Sequence, residues 1–130
     1  MTQSVGIVLV SHSAQLAAGL RDLLAQIGSD SVPVQVAGGT EDGRIGTSYD
    51  LVLKAIHAAD HGNGVVIVPD LGSSVLTART VLEDHPSPDV LLVDAPFVEG
   101  ALAAAITASI GADLTAVATA AQEARHVPKF

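Results

Sequence analysis

The sequence predicts an α/β domain, three-layered and doubly wound, with a mainly parallel four-stranded sheet in the order 2-1-3-4 and helices on both faces. Three observations carry that expectation. Short, continuous, β-branched apolar runs alternate with longer stretches of helical spacing, as a buried parallel sheet requires. Hydrophobic residues make up 48% of the chain, yet there are two Phe, one Tyr and no Trp, which suits small aliphatic packing between helices and sheet. A length of 130 residues fits one core and no second one, so residues 1 to 130 are expected to form a single domain.

The first strand is read in Val5 to Val10 (VGIVLV), bounded by the polar Ser11-His12-Ser13. From Ser13, Leu16, Leu20, Leu23, Leu24 and Ile27 recur at helical spacing, and Gly28 supplies a stop. Val32 to Ala37 reads as the second strand. A Gly-rich loop follows, and a second helix starts at Thr47 or Ser48 with Tyr49, Leu53 and Ile56 on one stripe, ending in the His61-Gly62-Asn63-Gly64 turn. The third strand is Gly64 to Val68. Ser73 or Ser74 is expected to cap a third helix running to about Asp84, ahead of Pro86 and Pro88. Val90 to Val93 completes the sheet, and two Ala-rich helices follow, from about Val98 to Ile110 and from about Leu114 to Arg125. Helices apolar nearly all round are normally buried, so part of this surface is expected to meet another subunit.

Composition excludes several function classes. A net charge of −8 repels phosphate backbones and anionic lipid, which argues against nucleic-acid or membrane partners. The chain has no cysteine, so disulfides, thiolate catalysis and the usual zinc frameworks fall away, and neither a metal nor a cofactor is expected. The apolar runs are far shorter than the roughly 20 residues of a membrane span, and a cytoplasmic location is the expectation.

In a doubly wound sheet, ligands bind beyond the carboxyl ends of the strands where the strand order reverses, here between the first and third strands. Those two loops hold Ser11-His12-Ser13 and Asp70-Leu71-Gly72-Ser73-Ser74, and Gly38-Gly39-Thr40 with Arg44 lies on the far side of the first strand. A carboxylate accepting from one imidazole N–H fixes the tautomer and leaves the other nitrogen as the nucleophile. His12 is therefore the candidate phosphoryl acceptor and Asp70 its orienting carboxylate. Backbone N–H groups at Gly72, Ser73 and Ser74 can hold phosphoryl oxygens, with Ser13, Gly39, Thr40 and Arg44 as further phosphoryl-binding or partner-binding candidates. His57, His61, His85 and His126 read as surface histidines without chemistry. The clustered acids of a receiver domain are missing after the first strand, no cation adjoins His12 as in a histidine phosphatase, and the G-x-G-x-x-G spacing of dinucleotide binding is absent.

The segments VGIVLVSHSAQLAAGL, AGGTEDGRIGTSYD, VVIVPDLGSSVLTA and VDAPFVEGALAAA, spread from about Val5 to Ala105, resemble the phosphotransfer subunit of bacterial phosphoenolpyruvate-dependent dihydroxyacetone kinase. That family is itself similar to the mannose-type IIA domains of the sugar phosphotransferase system. The resemblance implies an α/β homodimer whose histidine is phosphorylated by phospho-HPr. The phosphoryl group would then pass to ADP on the nucleotide-binding kinase subunit, and on to dihydroxyacetone on a third subunit. The family's phosphorylated histidine falls on His12 and its nearby aspartate on Asp70. The alternatives are a IIA domain serving a mannose- or fructose-type sugar permease and a non-catalytic ligand-binding module.

Overall fold

The computed structural model describes residues 4–28 and 30–130. The elements run β1 (Gly6–Ser11), α1 (Ala14–Leu23), β2 (Val34–Gly38), α2 (Tyr49–Ala59), β3 (Val65–Pro69), α3 (Gly72–Asp84), β4 (Val90–Leu92), α4 (Phe97–Ser109) and α5 (Leu114–Glu123). The sheet is parallel throughout in the order β2-β1-β3-β4, as the sequence predicts.

Alternation along the strands sends side chains into two apolar layers. Ile7, Leu9, Val66 and Val68 pack with α1, α4 and α5. Val8, Val10, Val65 and Ile67 face the other way, against Val52, Ala55 and Ile56 of α2 and Ala78 and Val81 of α3. The alanines of the C-terminal third find their partners within the chain: Ala101, Ala104, Ala105 and Ala108 are fully buried in the same layer as Val117 and Ala121. Gly100 is required at the close approach of α4 and α5, since a Cβ there would lie 2.8 Å from the Cβ of Ala95 and 3.2 Å from the carbonyl oxygen of Ala121.

The differences from the sequence reading have local causes. The second strand begins at Val34 because Pro33 has no N–H for the ladder, although its carbonyl still accepts from Ile7. The first helix is α-helical only to Leu23 and widens into a π turn over Leu24–Gly28. That wider turn changes the helical phase, so Leu24 is buried while Ile27 points out. Leu16, in the first turn of α1, is also exposed. On α2 the buried stripe is Val52, Ala55, Ile56 and Ala59, with Tyr49 and Leu53 on its flank. Ser13 and Ser48 cap α1 and α2, each accepting a main-chain N–H three residues on at 3.2 Å. Neither Ser73 nor Ser74 caps α3. Its N-cap is Leu71, with no side-chain cap bond, because both serine hydroxyls are drawn to the histidine site described next.

Candidate phosphotransfer site

Register places the site. Val10 pairs with Pro69 across β1 and β3, which sets Ser11 and His12 level with Asp70 as both strands end. The Asp70 main-chain N–H donates to the Val10 carbonyl at 2.9 Å and fixes the start of the loop. Residues 58 positions apart in sequence thus share one hollow.

The carboxylate of Asp70 is surrounded by donors. Its Oδ1 lies 2.9 Å from His12 Nδ1 and accepts from the Ser74 hydroxyl at 2.6 Å and the Leu71 N–H at 2.6 Å. Its Oδ2 accepts from the Ser11 hydroxyl at 2.9 Å and the His12 main-chain N–H at 3.1 Å. Burial opposes ionisation, but the Ser74 hydroxyl, the two His12 donors and the Ser11 hydroxyl outweigh it and hold the carboxyl down at about 2, against an ordinary 3.8. An ionised carboxylate can only accept, so the ring nitrogen facing it carries the proton. In the neutral ring that leaves the lone pair on Nε2.

Nε2 points to the N-terminus of α3, where the Ser73 hydroxyl contacts it. The His12 side chain is 24% exposed and that of Asp70 only 7%, so the ring edge is accessible while its anchor is covered. Gly72, Ser73 and Ser74 form the first turn of α3, which has no side-chain cap; the Ser74 N–H, one of the three predicted phosphoryl donors, is instead committed to the Leu71 carbonyl at 3.0 Å, which leaves Gly72 and Ser73 to offer theirs. A helix end in that condition favours an anion.

The remaining predicted residues divide. Ser13 stands beside His12 but spends its hydroxyl on capping α1. Gly39 closes the turn after β2 at φ +71°, where a Cβ would lie 2.8 Å from the Arg44 carbonyl oxygen. Thr40 accepts from the Arg44 N–H at 3.1 Å, and its own N–H donates to the Arg44 carbonyl at 2.9 Å. This loop is tied to the site through two main-chain bonds, Gly39 N–H to the Ser11 carbonyl at 3.0 Å and Gly46 N–H to the His12 carbonyl at 2.9 Å. The guanidinium of Arg44 pairs with Asp42 at 2.7 Å and is 81% exposed, so its bonds lie within its own loop and not in the hollow. His57, His61, His85 and His126 are all exposed. Ser11, fully buried, is a site residue that the sequence reading placed in the loop without assigning it a contact.

A family model described as the PTS system fructose IIA component, EIIA-man, matches residues 6–118. The chain belongs to the EIIA-man family. The phosphoryl donor subunit DhaM of PEP-dependent dihydroxyacetone kinase 1 from Listeria innocua is 42% identical over 105 residues, covering 81% of this chain and 82% of the relative. The DhaM subunit of kinase 2 from the same organism is 34% identical, covering 87% and 93%. Against the Escherichia coli DhaM subunit, 39% identical, this EIIA-man chain is covered over 87% of its length but spans only 25% of that longer protein. Among solved structures, a crystal structure of a protein of unknown function superposes with a TM-score of 0.82 at 37% identity, covering 92% of this chain and 94% of the other. A sigma-54 interaction domain protein from Enterococcus faecalis shares the fold, with a TM-score of 0.69 at 15% identity and coverage of 97% and 93%. Among the described residues, no helix is long and apolar enough to cross a membrane, and no group of three or more His, Cys, Asp or Glu side chains could hold a metal ion.

Proposed function

We propose that this EIIA-man chain, acting as one phosphotransfer domain over residues 1 to 130, is the phosphoryl donor subunit of a phosphoenolpyruvate-dependent dihydroxyacetone kinase. It accepts a phosphoryl group from phospho-HPr on Nε2 of His12. The group then passes to ADP bound on the nucleotide subunit of the kinase, and from there to dihydroxyacetone. The observation that carries this reading is the 2.9 Å contact between His12 Nδ1 and a carboxylate held ionised, with Nε2 turned to an uncapped helix end.

The chemistry balances without a metal. The Nε2 lone pair attacks phosphorus in line, the N–P bond of the donor breaks, and its electron pair returns to the donor imidazole. His12 keeps its proton on Nδ1 throughout, so the phosphorylated ring is a cation, and Asp70 supplies the matching negative charge 2.9 Å away. Ser73 turns from Nε2 to donate to a phosphoryl oxygen. The Gly72 and Ser73 N–H groups meet the other oxygens, which places fixed donors where charge is spread in transit. On delivery the N–P bond breaks and the lone pair returns to Nε2.

Exposed apolar side chains rim the hollow. Leu16 stands one turn beyond the Ser13 cap, Ile45 precedes the Gly46 tie to His12, Leu71 follows Asp70, and Leu76 is one turn along α3 from Ser73. Protein partners carrying a phosphohistidine or a bound nucleotide would seat here, with Thr40 and Arg44 contributing at the edge. In this reading the chain is a cytoplasmic homodimer that uses the exposed Val98, Ile106 and Ile110 of the Ala-rich layer for self-association.

Incubation with phosphoenolpyruvate, enzyme I and HPr should add one acid-labile phosphate, and His12→Ala should abolish it. Labelling that survives in His12→Ala would refute the assignment. A second reading, a IIA domain serving a sugar permease, is favoured by the description of the matched family as a fructose IIA component. Purified kinase subunits with ADP and dihydroxyacetone discriminate: consumption of phosphoenolpyruvate dependent on dihydroxyacetone supports the kinase, and its absence supports the permease.

A further inference from the structure

We infer that Ser11 is a positioning residue for His12: its buried hydroxyl clamps the Asp70 carboxylate from the side opposite the imidazole and so fixes which ring nitrogen is free to react. The inference rests on the reading of His12 as the phosphoryl acceptor.

Ser11 is the last residue of the central strand β1, and with Ser74 it is one of two polar side chains fully buried among the described residues. A hydroxyl in that position must be bonded on all sides that matter. Its oxygen accepts the Ser13 main-chain N–H at 3.1 Å, which commits a lone pair and directs the single hydroxyl proton to Asp70 Oδ2 at 2.9 Å. The direction of that bond is therefore fixed by the backbone. The Ser11 carbonyl accepts from the Gly39 N–H at 3.0 Å, and Ser11 pairs with Gly38, so the residue's own main chain is held on the β2 side.

The consequence is a carboxylate plane set from both ends. Oδ1 takes His12 Nδ1, Ser74 and Leu71, and Oδ2 takes Ser11 and the His12 main-chain N–H. Without the Ser11 hydroxyl, Oδ2 is restrained only by an N–H belonging to the residue that Asp70 is meant to orient. The carboxylate then gains freedom to turn, the Nδ1–H bond lengthens or breaks, and the ring loses its bias toward the tautomer with Nε2 unprotonated. Ser11 touches neither the phosphoryl group nor the reactive nitrogen in this account; it acts through Asp70.

The test compares Ser11→Thr with Ser11→Val. Both add one methyl-sized group to a fully buried site, so they share the packing cost, and only Thr keeps a hydroxyl. The two imidazole ¹⁵N shifts of His12 in the unphosphorylated protein report the tautomer, which a purely structural role would not move. Nδ1–H should dominate in the wild type and in Ser11→Thr and give way to a mixture in Ser11→Val, with initial phosphorylation by phospho-HPr about tenfold slower in Val than in Thr. Should the β-branched variants fail to fold, Ser11→Ala carries the same comparison against the wild type. Identical ¹⁵N shifts and rates with and without the hydroxyl would overturn the inference. Because the shifts are read without phosphate, they remain decisive even if the wild type takes no phosphate at His12, an outcome that would overturn the proposed function instead.

Discussion

Replacing Asp70 by Asn removes one charge and changes few atoms, yet the structure predicts a large effect. Five donors converge on the two carboxylate oxygens. An amide offers one oxygen and one NH2, so one side of the group must set donor against donor. If the NH2 takes the Oδ1 position it meets Nδ1–H, the Ser74 hydroxyl and the Leu71 N–H. The ring can relieve that clash only by moving its proton to Nε2, which blocks the nucleophile. If the NH2 takes the Oδ2 position, the Ser11 hydroxyl can turn away but the His12 main-chain N–H cannot. The folded protein holds this carboxyl at about 2 against an ordinary 3.8, and with the side chain 7% exposed that preference is worth about 2 kcal/mol of stability at neutral pH. A wrong tautomer and a lost counter-charge to the phosphorylated ring should slow phosphoryl uptake by about a thousandfold. Quench-flow with phospho-HPr measures the rate, and chemical denaturation measures the stability. A folded Asp70→Asn protein that takes up phosphate within about threefold of the wild-type rate would refute the reasoning.

The same carboxylate sets a pH dependence whose sign follows from its depressed titration: its contribution is full above 3.8 and lost as pH falls toward about 2, so the stability gap between wild type and Asp70→Asn should close over that interval and not above it. Gly38→Ala would bring a Cβ to 2.7 Å from the Ala14 Cα and 2.9 Å from the Ser13 carbonyl oxygen, both backbone atoms. The first turn of α1 must then shift with His12 beside it, at a cost of about 1–3 kcal/mol and slower phosphorylation; an unchanged melting temperature would contradict this. Ser48→Ala removes the α2 cap and should cost about 1 kcal/mol while leaving the transfer rate alone, which separates stability from chemistry. Tyr49, the one tyrosine in the chain, donates to Asp84 at 2.8 Å, and that bond raises its phenol above 10.0; absorbance titration should show the high midpoint and its fall in Asp84→Asn.

The topology and the His12–Asp70 pair were legible in the sequence because both follow from strand order. Continuous apolar runs identify buried parallel strands, and the switch point between the first and third of them names two loops. What the one-dimensional pattern could not carry was hydrogen-bond direction. Ser73 and Ser74 look like caps at a helix start, and only the adjacency of β1 and β3 reveals that His12 and Asp70 compete for their hydroxyls. Ser11 had a faint signal, a single hydroxyl closing an unbroken apolar strand, but its role depends on Asp70 arriving alongside. Arg44 looked like an anion grip, yet Asp42 two residues earlier was its nearer partner, a local pairing that loop sequence alone does not rank. The phase of α2 and the π turn after Leu23 depend on how far each helix travels over the sheet, which the apolar stripe describes only approximately.

The most direct measurement is ¹⁵N–³¹P NMR on the protein after incubation with phosphoenolpyruvate, enzyme I and HPr. One phosphorus signal coupled to Nε2 of His12 is expected, with a proton retained on Nδ1 opposite Asp70. Phosphorus coupled to Nδ1, or carried by any other side chain, would contradict it.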